Sequence, residues 1–192
     1  MERLRITSGA SAVKTLENGA SVSVRSLEPK RPVPSEVARH EASHGMACDE
    51  VVYITIIPSG NAKGQTQPDR LTATCAAAAA AMGYSGYGQD KFMTVYHLGV
   101  DWGIAKSAST SKLAGWHEER EELATILEER LTIGQPEVEE AIQNVKKRRQ
   151  GIILVEVDIK KIGEKSRRYK TETYGGVVNL SDLLPEAPNT QN

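Results

Sequence analysis

Neither charge sign is in excess in this chain, where 24 lysines and arginines stand against 25 acids among 192 residues. No overall field draws it to nucleic acid or to an anionic membrane, so neither is expected as a partner. Cysteine is scarce. The only two, Cys48 and Cys75, cannot build a disulfide framework and fit a reducing compartment. Long apolar runs are also missing, since the small-residue stretch 75–82 is too short and too alanine-rich to span a bilayer. The opening residues, MERLRITSGASAV, lack the apolar core of a signal peptide. No internal repeat is visible. A soluble cytoplasmic protein is expected, long enough for one buried core and a small appendage.

The chain reads as α+β. Residues 12–16 and 21–25 flank Glu17-Asn18-Gly19, a strong hairpin signal, and residues 3–7 suggest a further short strand. The prolines of 29–34 make a stiff linker. Ser35 is placed to cap a helix running to about Asp49, with Glu36 favourable to its dipole. Residues 51–57 form a β-branched run closed by Pro58-Ser59-Gly60, and residues 61–70 look irregular. A small-residue helix is expected over 71–82, a glycine-rich loop over 83–88, and a helix over 90–107 broken near Gly99. Helices follow over 115–130 and 136–150, and the basic run 146–149 suits the C-terminal end of the second. Strands are expected over 151–159 and 169–178, with a disordered tail after 184. The resulting division is an N-terminal hairpin and linker at 1–34, a main domain at 35–150, a C-terminal β segment at 151–184 and a tail at 185–192.

Only four histidines are present, yet two of them fall in His40-Glu41-Ala42-Ser43-His44. This is HExxH. On a helix both imidazoles point the same way and can share a metal ion, while Glu41 is placed to act as general base. Catalytic zinc needs a third protein ligand. Spacing alone leaves Asp90, His97, Asp101, His117 and Glu118 as candidates. The strand after the helix suits a peptide held as an added strand at a sheet edge. Cys48, four residues after His44, reads as a small buried cysteine rather than a ligand.

From His40 onward the chain resembles the zinc-peptidase domain of the FtsH family of AAA proteases. The family carries HEAGH and then VTIIPRGxALGxT, where this sequence has HEASH and then Ile54-Thr55-Ile56-Ile57-Pro58-Ser59-Gly60-Asn61-Ala62-Lys63-Gly64-Gln65-Thr66. The likeness covers about residues 35–145. It implies a mainly helical zincin-like domain with a short β edge near the site and additional β segments at both ends of the chain. It implies Zn2+ held by His40, His44 and Asp101, the last matching the aspartate of the family's NDLxxA helix. Thr55, Ile56, Gly60, Gly64 and Thr66 would line the substrate, with His97, Tyr84, Tyr87 and Tyr96 as weaker candidates for supporting roles.

Several positions depart from that pattern. Ser43 replaces a glycine, and Met82-Gly83-Tyr84 stands where the family has Gly-Gly-Arg. No GxxxxGK[ST] phosphate loop is present, so ATP is not expected as a ligand. The expected activity is that of a zinc metalloendopeptidase acting on unfolded or flexible protein segments, as a monomer or a homo-oligomer. The alternative is a peptidase-like module that holds a partner protein or peptide without cleaving it.

Overall fold

Asn18 and Gly19 turn the chain back on itself, with Gly19 at φ 77° and the Asn18 side chain accepting from the Ala20 N–H. The strands on either side, β2 (Ser11–Thr15) and β3 (Ser21–Ser26), pair in antiparallel register. The computed structural model describes residues 3–7, 9–27, 33–161 and 163–180. It is mixed α and β and divides into two units, residues 1–31 with 146–192, and residues 32–145. The tail expected to be disordered lies outside the described residues, as does most of the 29–34 linker.

In the first unit, the two ends of the chain form a common sheet. Strand β3 pairs with β7 (Ile152–Lys160), and β7 with β8 (Arg167–Tyr174), giving the order β2-β3-β7-β8. The N-terminal hairpin and the C-terminal β segment, read from sequence as separate pieces, are therefore parts of one structure. Both halves alternate apolar and polar residues, so neither can bury its apolar face alone. Val22, Val24, Val155, Val157 and Ile159 supply that shared core. The early strand is present as β1 (Arg3–Arg5), but it pairs with β9 (Val177–Asn179) instead of with the hairpin.

The second unit is built around helix α1 (Glu36–Ala47). Ser35 caps it, its hydroxyl accepting from the Ala38 N–H at 3.1 Å. Strand β4 (Val51–Thr55) follows, and two elements that the sequence hid lie on either side of it. Strand β5 (Gln65–Pro68) falls in the segment expected to be irregular, and β6 (Thr132–Ile133) is only two residues long. Both are specified by backbone pairing with β4, which polar residues and short segments can satisfy without any apolar pattern. Sheet order is β5-β4-β6, so β4 is central rather than an edge.

The alanine-rich segment is two short helices, α2 (Ala73–Ala76) and α3 (Ala78–Ala81), stepped at Ala77, where φ is −88° and ψ is 0°. Helix α4 (Gly88–Phe92) runs into a π-helical turn, Met93–His97, and Gly99 at φ 66° ends it. Then come α5 (Trp102–Leu113), α6 (His117–Arg130) and α7 (Gln135–Arg149). The core joins Ala38, Ala42, Met46 and Ala47 of α1 to Ile54 and to Leu123, Ala124 and Leu127 of α6. Small residues on α1 let these elements close tightly. No described helix is long and apolar enough to cross a membrane.

Candidate metal centre

Helix α1 sets His40 and His44 one turn apart on one face. The His40 Nδ1 lies 3.0 Å from the Ser85 carbonyl oxygen, and the His44 Nδ1 lies 2.7 Å from that of Cys75. A carbonyl can only accept, so each Nδ1 carries the hydrogen and each neutral ring presents a bare Nε2. Those two Nε2 atoms are 3.2 Å apart. Asp90 Oδ2 completes the group, at 3.4 Å from His44 Nε2 and 3.7 Å from His40 Nε2. That carboxylate oxygen is buried and accepts no hydrogen bond.

Three lone-pair atoms thus converge with nothing positive between them. Four-coordinate zinc, with bonds of about 2.0–2.2 Å, separates its ligands by roughly 3.3–3.6 Å. The observed triangle has nearly that size, so His40, His44 and Asp90 can hold a metal ion. Among the described residues no other His, Cys, Asp and Glu group is so arranged.

Charge follows the same layout. Burial lowers the His40 pKa, and the neighbouring His44 lowers it further. Burial also opposes charge on His44, but the Asp90 carboxylate beside Nε2, helped by the Cys75 carbonyl at Nδ1, outweighs this and the pKa is raised.

The third donor corrects the sequence expectation. Asp101 stands at the N-cap of α5, where Oδ1 accepts from the Ile104 N–H at 3.0 Å, and it is exposed. Its role is to start a helix. Asp90 instead sits in the first turn of α4, directly after the glycine-rich loop, and the Thr94 hydroxyl donates to its carbonyl at 2.8 Å. A signal for it was present, since Asp90 was among the acids that spacing left open and it directly follows the glycine-rich stretch 83–88. No family model and no curated protein matches this chain.

Glu41 is buried beside the cluster. Its Oε2 accepts from the Thr66 hydroxyl at 2.8 Å, and the same hydroxyl lies 3.2 Å from the Glu41 carbonyl. Burial raises the Glu41 pKa, an effect opposed in part by His44 and by the Thr66 hydrogen bond. Gly64 closes over this carboxylate, since a Cβ there would stand 2.8 Å from Glu41 Cγ and 2.9 Å from Oε1.

The other substrate candidates are occupied within the fold. Thr55 Oγ1 contacts the Leu131 carbonyl at 3.1 Å and Thr132 Oγ1 at 2.8 Å. The Ile56 N–H donates to the Leu131 carbonyl, and its side chain packs on the core. Gly60, at φ 58°, turns the loop between Ser59 and Ala62. Of the five, only Gly64 and Thr66 reach the centre, both through Glu41. The sheet edge nearest the centre belongs to β5, which has a single strand partner.

The remaining candidates lie elsewhere. His97 is exposed, with its ring against Phe92, and Tyr87 stacks on Trp102. Tyr96 is largely exposed. Tyr84 lies under the guanidinium of Arg120, which comes from α6.

Cys48 and Cys75, read from sequence as too few for a disulfide framework and as fitting a reducing compartment, are joined in a single disulfide. Their separation of 27 residues hid the pairing, which arises because Cys48 caps the C-terminus of α1 while α2 packs against that end. The bond ties the ligand helix to the residue whose carbonyl orients His44.

Proposed function

We propose that residues 32–145 form a zinc metalloendopeptidase unit of zincin-like, FtsH-related character, cleaving unfolded or flexible protein segments without an ATPase of its own. The observation that carries this reading is the convergence of His40 Nε2, His44 Nε2 and Asp90 Oδ2 beside a buried Glu41. Zinc held by these three donors would supply a Lewis acid and bring the pKa of a water toward about 7.

Everything else in the reaction falls to the chain itself. Ser85 and Cys75 fix the ring orientations through Nδ1, keeping both Nε2 atoms available. Glu41 takes and returns the proton at Oε1, because Oε2 is already engaged by Thr66. Its raised pKa suits a base that must hold that proton briefly. An extended peptide would lie along β5, whose outer edge is unpaired among the described residues, and not along β4.

One observation favours the alternative of a peptide-holding module without cleavage. Thr66 and Gly64 cover Glu41 closely, which restricts access to the base. A single comparison separates the two. The wild-type protein loaded with zinc should degrade casein, and Glu41→Gln should abolish cleavage while retaining zinc. Zinc binding without cleavage in the wild type establishes the module instead.

A further inference from the structure

Charge divided between the two units looks quite different from charge summed over the chain. Residues 1–31 and 146–192 carry 16 lysines and arginines against nine acids, a formal +7; residues 32–145 carry eight against sixteen, a formal −8. Near-neutrality, the ground for expecting no nucleic-acid partner, is thus the cancellation of two strongly charged parts.

Of the five acids described in the basic unit, four are matched and Glu17, in the hairpin turn, is not. Glu156 pairs with Arg25 at 3.1 Å, Asp158 with Arg168 at 3.3 Å, Glu164 with Lys161 at 3.8 Å, and Glu172 with Lys147. Lys160, Lys165 and Arg167 are exposed and have no ion-pair partner among the described residues.

Register gathers the excess at one end of the sheet. Lys14 lies opposite Val22, Val22 opposite Ile159, and Ile159 opposite Arg167, so cations stand on the two outer strands of one row. Three strand spacings separate them, about 14 Å. The adjacent row, Thr15, Ser21 and Lys160, projects from the other face, and the turn between β7 and β8 adds Lys161 and Lys165, so the cations flank this end of the sheet from both faces.

We propose that this end of the sheet binds the sugar–phosphate backbone of nucleic acid through Lys14, Lys160, Lys161, Lys165 and Arg167. Lysine, arginine and hydroxyl side chains are the groups that contact phosphates without reading bases. A lipid surface would also call for large apolar side chains beside the cations. Beside the cations the unit exposes only Val13 among its described large apolar residues, while Leu154 and Tyr174 stand at the opposite end, opposite Glu172 and Ile152.

The test is fluorescence anisotropy of the full chain with labelled single-stranded and duplex oligonucleotides of about 20 nucleotides. Binding should weaken roughly 130-fold between about 50 and 200 mM salt for five phosphate contacts on a single strand. Combined Lys160→Gln, Lys165→Gln and Arg167→Gln should cost at least about tenfold in affinity and flatten the salt slope by about two. An unchanged melting temperature would show that the fold is kept. Should that variant melt early, Lys165→Glu alone, in the turn, should still weaken binding about threefold. Absence of binding at low salt overturns the proposal. So does unchanged affinity in a folded variant, or tighter binding to phosphatidylserine vesicles than to either oligonucleotide.

Discussion

Gly64 and Glu41 show how closely the centre depends on single atoms. The glycine has no Cβ, and that absence is what lets the loop lie over the carboxylate. Gly64→Ala would push a methyl group against Glu41 Cγ and Oε1 and against the Thr55 carbonyl oxygen. We expect that variant to bind zinc like the wild type, because neither histidine nor Asp90 is touched, and to lose most casein cleavage. The two readouts, zinc content and proteolysis, should therefore part. At this scale the sequence was informative where chemistry fixes spacing. His40, Glu41 and His44 were legible because a helix must repeat at four residues to aim two side chains at one point. The third donor was not, because it arrives from a different element and only the path of the glycine-rich loop decides between Asp90 and Asp101.

Helices and strands hold the donors of the centre in place. The disulfide holds the end of α1 against α2, and α2 supplies the carbonyl that orients His44. Reduction should lower thermal stability, by about 3.5 kcal/mol in the loop-closure picture, and should weaken zinc retention in competition with a chelator. Calorimetry with and without a dithiol checks the first, and chelator titration the second. Helix α7 offers a pH test at its own start. Glu137 accepts from the Gly134 N–H at 2.8 Å, and this bond, helped by Arg130, holds its pKa below the usual 4.5. A carboxylate with a depressed folded-state pKa stabilises fully above its unfolded value and loses that contribution as pH falls through the folded one. Glu137→Gln should thus lower the melting temperature at neutral pH and have a smaller effect in acid, below the depressed pKa. Strong elements such as α1, α6 and α7 were readable from caps and periodicity. Strands β5 and β6 were not, since their residues carry no apolar alternation and exist as strands only because β4 lies between them.

Taken whole, the molecule separates two oppositely charged parts that its composition averages together. One unit is acidic and contains the candidate metal centre, while the other is basic and is made from both chain termini. That arrangement could not be read along the sequence, because pairing of β3 with β7 joins segments more than a hundred residues apart. Neutral total charge concealed it further. The peptidase reading depends on one geometric claim, that Asp90 and not Asp101 completes the donor set. Zinc bound per chain, measured by elemental analysis after chelator stripping and reloading, tests it most directly. About one zinc is expected for the wild type and for Asp101→Asn, and a large loss for Asp90→Asn. Loss of zinc in Asp101→Asn with full binding in Asp90→Asn would contradict it.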